Sequence, residues 1–462
     1  MNRWEIKKET TIMRRSTGVG LGILLLIGSS LNAQNTDIEA LSGLKFNFGN
    51  PGARSLGMGG AFLGLADDAS AAEANPAGLT ILRKREVSVE MRSTTTSQSF
   101  ATGGTYPFIN EKDFPSRQKA VTFASAVFPF SHAVIALYYH QPLQFRNSVD
   151  VFSQYSTPIF FLGPDGPVSP DQCPQVAGCQ QHQIYPYSAA ADVQLSTYGG
   201  AIGWERGQFS IGAAVRYHLF RERADTYRVD LDAVGSPTFV VAQTHGSRIF
   251  GRNADSDFTY VVGLKWAPSS RFSAGTVYKK GPTFPAPVSA GPQAQGAQPD
   301  LKLVEVTDFH VPDSLGLGIS FRPLPNLTIN ADAIRVAYSN LTDRFVSVIE
   351  YNTADSGGIE RLSGYESHDG TETHLGVEYF ILGNTPVAIR AGWWRDPAHS
   401  IHYGAPLLTA HDVAAAILFP DRRAEHHYSV GLGLAFPRFQ IDAAYDTSET
   451  LKQASVSVMA RY

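Results

Sequence analysis

The feature that most limits what this chain can fold into is an alternation of apolar with small or polar residues. It recurs in segment after segment from about residue 84 to the last residue. Alternation of period two puts alternate side chains on opposite faces of a strand. Leu315, Leu317, Ile319 and Phe321 share one face, and Gly316, Gly318 and Ser320 the other. Phe258, Tyr260, Val262, Leu264 and Trp266 repeat the pattern, as do Tyr428, Val430, Leu432 and Leu434, then Val456, Val458 and Tyr462. Fourteen such segments are expected, near 84–100, 118–130, 132–148, 190–205, 208–224, 256–268, 270–282, 307–323, 326–341, 370–381, 385–397, 423–436, 439–449 and 451–462.

The connectors fall into two kinds. Short turns lie at 129–131, 205–208, 268–271, 323–326, 382–385 and 437–438; long ones lie near 101–117, 149–189, 225–255, 283–306, 342–369 and 398–422. Only the last hairpin, near 447–451, is short where a long loop is due. Short turns at one end and long loops at the other describe a barrel inserted from the periplasm. In lipid every backbone donor and acceptor must be paired, which forces the sheet to close. The expected fold is therefore all-β: a 14-stranded antiparallel transmembrane β-barrel over 84–462, multi-pass in a bacterial outer membrane, with both termini periplasmic. A closed barrel satisfies its own backbone, so a monomer surrounded by outer-membrane lipid is expected.

Composition agrees. Charged residues make up 17% of the chain, against 43% hydrophobic, and there are 27 Phe and 19 Tyr, as suits a protein with a lipid-facing surface. A formal charge of −4 gives no reason for a nucleic-acid partner. Lys7, Lys8, Arg14 and Arg15 precede an apolar run from Val19 to Ile27, and small and polar residues follow to Ala33. That is the form of a secretory signal peptide over 1–33, its apolar run too short for a membrane span. Cys173 and Cys179, the only cysteines, sit six apart in a Pro/Gln-rich loop and are expected to form a disulfide. No recognised ligand pattern surrounds them, so neither a metal nor a cofactor is expected.

Residues 34–83 do not alternate. A Gly-rich stretch from Gly43 to Gly64 leads to Asp67, Asp68 and an alanine-rich run, expected to be helical over 66–74 and ended by Pro76. Leu56, Met58, Phe62 and Leu65 are too many apolar groups for a solvated tail, so this segment is expected to fold inside the lumen as a hatch.

The run from Phe46 to Leu79, with its glycine-rich start, Ala66-Asp67-Asp68-Ala69 and Asn75-Pro76-Ala77, resembles the hatch of the FadL/OmpP1/TodX family. Phe309 to Gly318, Leu327 to Asp332 and Tyr428 to Phe436 resemble barrel strands of that family, so the likeness covers nearly all of the mature chain. It implies outer-membrane uptake of long-chain fatty acids or similar hydrophobic compounds by passive diffusion, through an internal pocket and a lateral opening in the third strand. Pro142 interrupts that strand and marks the candidate opening. The candidate substrate pocket comprises Phe46, Phe48, Leu56, Met58 and Phe62. Arg216 and Arg390 are the candidates for a carboxylate head group among four inward cations, with Lys265 and Arg461. Glu378 and Asp442 share their face, so most of these charges are expected to pair with one another or with the hatch. The chain departs from the family in carrying about ten residues ahead of the hatch motif.

No enzyme activity is expected. His426 and His427, or His132 and His140, have no nucleophile in a recognisable context near them. The alternative reading is a non-transporting barrel of the same family that serves as a docking or assembly partner in protein secretion.

Overall fold

The computed structural model describes residues 49–150, 157–184, 187–229, 246–293, 302–342, 348–351, 359–362 and 364–462. The signal segment, Phe46 and Phe48 lie outside these residues.

Among the described residues fourteen staves close into one antiparallel barrel. The first six are Glu86–Thr105, Phe108–Pro129, Ala133–Asp150, Tyr187–Arg206, Phe209–Val229 and Gly246–Ser269. The seventh runs as Phe272–Lys279 and Thr283–Gln293, and the eighth as Lys302–His310 and Ser314–Leu324. The rest are Leu327–Val336, Gly370–Ile381, Val387–Asp396, Glu425–Ala435, Phe439–Thr447 and Leu451–Arg461. The first pairs with the fourteenth from Glu86 opposite Arg461 to Thr96 opposite Leu451, so the sheet has no edge at its seam.

Solvent exposure inverts the usual sense of inside and outside. Leu315, Leu317, Ile319 and Phe321 are exposed, whereas Ser314 and Ser320 are buried. Val430 and Leu432, Val456 and Val458 repeat this on the twelfth and fourteenth strands. A continuous outward apolar belt over a polar interior is what a barrel needs when its solvent is lipid. Phe209 and Trp266 stack at 6.4 Å, and Trp266 meets Phe272 at 6.0 Å, near the short-turn end, where amphipathic rings suit a membrane interface.

Several long connectors differ from the sequence expectation. Residues 101–117 are not a loop: the first two strands continue through them to a turn at Tyr106–Pro107. Their Ser, Thr, Lys and Glu residues face water on one side and the lumen on the other, so no apolar alternation marks them. Much of 283–306 is strand as well. The seventh and eighth strands break at 280–282 and 311–313 and then resume. Asp313 holds the break, accepting from Gly281 N at 2.8 Å, Lys280 Nζ at 3.0 Å and the Tyr278 hydroxyl at 2.8 Å. The 398–422 connector contains the helix Ala410–Leu418. Its capping box has the Thr409 hydroxyl accepting from Asp412 N at 3.3 Å while Asp412 accepts from Thr409 N at 2.7 Å.

The segment before the first strand lies in the lumen. It forms a helix at Ala53–Gly57, a turn of helix at Ala71–Ala74 and a 3-10 helix at Pro76–Ile81, rather than one helix over 66–74. The Ala53–Gly57 helix packs on the eleventh to fourteenth strands, and the 3-10 helix on the third to sixth. Ala53, Met58, Phe62, Leu63, Leu65, Ala69 and Leu79 are fully or almost fully buried. The inward glycines of the barrel make this fit possible. A Cβ at Gly376 or Gly392 would overlap Met58, one at Gly316 or Gly318 would overlap Leu63, and one at Gly263 would overlap the Asn75 side chain. The alternating glycines are therefore the seat on which the hatch backbone rests.

If the belt faces lipid, Leu317→Arg should lower unfolding stability in lipid vesicles by about 2–4 kcal/mol. Denaturant titration followed by tryptophan fluorescence measures this, and an unchanged midpoint would refute a lipid-facing position.

Candidate functional site

The ladder parts between the second and third strands. The second and third strands pair only from Phe123 opposite His140 to Pro129 opposite Val134, toward the short turn. Above that level the second strand stays paired to the first, and the third to the fourth. The third strand also bulges there: His140 faces Thr197 and Leu143 faces Leu195, so three steps oppose two. Gln141 and Pro142 occupy the bulge, and proline has no N–H to donate to a ladder. The Gln118 side chain bridges the parted strands. In the orientation that satisfies both its atoms, it donates to the Gln144 carbonyl at 2.9 Å and accepts from Arg146 N at 2.7 Å. Outward residues change at this level from Val121 and Leu137 to Lys119, Arg117, Gln144 and Arg146. The parting thus lies at the upper margin of the apolar belt.

Behind it is a cavity of about 450 Å³, lined by the first three strands, by Trp394 and His427, by Ser400, Ile401 and the stretch from Leu418 to Glu425, and by the last hairpin. His140, Gln141, Pro142 and Leu143 all line it, so the bulge is one of its walls. Phe100, Phe145, Ile401 and Phe419 supply apolar surface, while Thr94, Gln98 and Gln453 supply polar surface. Three arginines reach it. Arg92 is paired with Glu90 at 2.7 Å, and Arg422 with Glu111 at 3.1 Å, but Arg423 has no carboxylate partner among the described residues.

The Ala410–Leu418 helix borders the cavity through its last residue, Leu418. Val413 and Ile417, one turn apart, bury against Ala101, Phe160 and Ile184. Burial would raise the Asp412 carboxyl, yet hydrogen bonds from the Tyr403 and Thr409 hydroxyls and the Thr409 and Leu408 N–H groups hold it below the usual carboxylate range. Sequence reasoning missed this helix, although Thr409, Asp412 and the following Val413-Ala414-Ala415-Ala416-Ile417-Leu418 carry its signal.

The residues singled out from sequence are dispersed. Pro142 lies on the cavity wall. Leu56, Met58 and Phe62 pack between hatch and barrel and do not line the cavity; Gly49 is the only described hatch residue that does. Asn75 caps the 3-10 helix: its Oδ1 accepts from Ala77 N at 3.2 Å, and its Nδ2 donates to the carbonyls of Leu63 and Leu264 at 3.2 and 3.3 Å. Pro76 occupies the first position of that helix, where no N–H is needed. Cys173 and Cys179 are joined in a disulfide.

The inward charges pair, as their shared face suggests. Arg390 binds Glu378 at 2.6 Å and Asp442 at 2.8 Å, and all three are buried. Glu378 also receives Arg54 of the hatch at 2.7 Å, and Arg54 extends to Asp67 at 2.5 Å. Arg216 and Lys279 each lie 3.4 Å from hatch Glu73, which also accepts from the Tyr138 hydroxyl at 2.7 Å. Lys265 donates to the Leu65 carbonyl, and Arg461 pairs with Glu86 at 2.8 Å. Asp332 accepts from Phe62 N at 2.6 Å and Leu63 N at 2.8 Å. Hatch and barrel are thus joined by buried, charge-assisted contacts.

No protein-family model matches the chain, and no curated protein matches its sequence. Solved structures do. A FadL homologue from Pseudomonas aeruginosa has a TM-score of 0.61 at 14% identity, over 90% of this chain and 99% of that one. The toluene transporter TodX from P. putida has a TM-score of 0.56 at 14% identity, with the same coverage. The toluene transporter TbuX from Ralstonia pickettii reaches 0.52 at 14%, again over 90% and 99%. The chain has the fold of these transporters, in keeping with the resemblance read from its hatch motif.

Arg54 joins charges on hatch and wall, so Arg54→Met takes one partner from each of Glu378, Asp67 and Asp68, leaving Glu378 with Arg390 and Asp67 with Arg322. Breaking a buried pair from one side costs about 3–5 kcal/mol. The hatch of the variant should become protease-sensitive at native conditions, and single-channel conductance in planar bilayers should rise. Protection and conductance equal to the wild type would show that Arg54 does not hold the hatch.

Proposed function

We propose that this protein belongs to the FadL/OmpP1/TodX family and lets long-chain fatty acids or similar hydrophobic compounds cross a bacterial outer membrane by passive diffusion. A compound enters from the long-loop, external end, rests in the cavity beside Leu418 and Phe419, and leaves sideways between the second and third strands. The hatch fills the lumen below, and both termini lie in the periplasm. One observation carries the reading: the residues that part the wall, Gln141 and Pro142, are also residues that line the cavity.

The physical case is that an apolar molecule gains about 0.8 kcal/mol per methylene kept out of water. A sideways exit at the margin of the belt delivers it to the headgroup boundary of the lipid and spares it a passage through the periplasm. The mixed lining suits an amphiphile, with a tail against Phe100, Phe145 and Phe419 and a head group near an arginine. Arg216 and Arg390 are held by Glu73, and by Glu378 and Asp442. We therefore assign the head group to Arg423, with Arg422 beside it, and assign Leu56, Met58 and Phe62 to hatch packing.

Uptake of radiolabelled long-chain fatty acid and of toluene into reconstituted liposomes tests this. Deleting Pro142 removes the extra residue, restores register with the fourth strand and lets the second and third strands pair further. Uptake of both compounds should then fall to the protein-free level, while Pro142→Ala, which keeps the bulge, should retain part of it. Wild-type protein that takes up neither compound would sink transport and favour docking or assembly in secretion. Arg423→Gln should weaken fatty-acid binding by about tenfold, the scale of one charge-assisted hydrogen bond, and leave toluene unaffected. Equal effects on both ligands would refute a head-group role.

A further inference from the structure

We propose that Glu366, His368 and His402 form a site for a divalent transition-metal ion of the zinc type, which ties together two loops at the long-loop end. One is the loop before the tenth strand, and the other follows the eleventh. Tyr365 and Glu366 form a two-residue antiparallel ladder with Tyr403 and His402, and Glu366 stands directly opposite His402. Backbone pairing therefore brings together ligands from two separate loops. Gly404 N donates to the Gly364 carbonyl at 2.8 Å, and the rings of Tyr365 and Tyr403 meet edge to face at 5.2 Å, which extends and braces the ladder.

The distances suit a metal. Glu366 Oε1 is 3.5 Å from His402 Nε2 and 3.8 Å from His368 Nε2, and the three ligand atoms lie within 4.8 Å of one another. With metal–ligand bonds near 2.0–2.1 Å, a tetrahedral site has ligand–ligand edges of about 3.4 Å. Small side-chain movements close the difference. His402 is already set as a ligand: its Nδ1 lies 3.3 Å from the Ser400 carbonyl, to which it donates, so the Nε2 lone pair faces Glu366. Gly404 makes room for the carboxylate, because a side chain there would collide with Glu366 Oε1.

Two imidazoles and one carboxylate favour zinc, copper or nickel over magnesium or calcium, which prefer all-oxygen shells. Glu366 is 49% exposed and His368 66%, so an ion can arrive from solution, and a fourth position is left to water. His402 is buried beside Ser400 and Ile401, which line the cavity. A bound ion would thus fix the loop that carries the cavity-lining residues Ser400 and Ile401.

The test is cobalt titration of tag-free protein in detergent, read by the intense visible absorption of four-coordinate Co²⁺. One equivalent should produce the band, and zinc should abolish it. His402→Ala, His368→Ala and Glu366→Gln should each weaken binding by about a hundredfold, whereas His426→Ala, on the outer face, should leave it unchanged. Heat-modifiability on gels establishes that each variant keeps its barrel. In the wild type alone, zinc should also slow proteolysis within 397–424. The proposal is overturned if the spectrum is that of hydrated six-coordinate cobalt, or if folded variants bind as the wild type does. Neither result depends on which compounds the protein carries.

Discussion

The structure depends on one constraint: a polar backbone group facing lipid must find its partner in a neighbouring strand. The seam between the first and fourteenth strands meets it, as do the ladders around the rest of the belt. A place where pairing stops is informative for that reason. It occurs between the second and third strands above Phe123 and His140, and the ladder of the sixth and seventh strands also lapses, from Lys279 opposite Val261 to Val288 opposite Gly251. At the first of these the outward side chains have already turned from apolar to charged, so water or headgroups can reach the free backbone groups. Gln118 takes up two more of them. The barrel can part at this height at a cost it could not bear two turns of pleat lower.

Two devices join hatch to wall. Glycines let backbone lie on backbone, as where a Cβ at Gly64 would meet the main chain of Ile319. Carboxylates and guanidinium groups then fix position, and nearly every such group among the inward charges has an opposite partner. Charges buried in this way add little net stability, because desolvation offsets their attraction. Their contribution is to make one seating of the hatch far better than any shifted one.

Much of this was legible in the sequence. Period-two alternation located the strands because lipid outside and water or hatch inside impose opposite chemistry on alternate residues. Asn75-Pro76 marked the end of the helical turn, and the common face of Arg390, Glu378 and Asp442 anticipated their pairing. The rest was hidden for physical reasons. Residues 101–117 read as a loop because above the membrane neither face of a strand must be apolar. The apolar groups Leu56, Met58 and Phe62 suggested a pocket, but they are used up in packing against inward glycines. The cavity is built instead from Phe100, Leu143 and Phe419, which come from separate strands and a distant loop. Pairwise closeness of Glu366 and His402 needed the fold itself, since no local spacing records it.

The hatch precedes the first strand in the chain, and that strand forms the seam. Glu73 reaches residues of the third, fifth and seventh strands, while Arg54 reaches the tenth. These contacts span the circumference, so they are complete only when strands from around the cylinder stand in register about the hatch. The hatch thus acts as a gauge for the bore, and its sequence is matched to the girth of the wall as well as to passage.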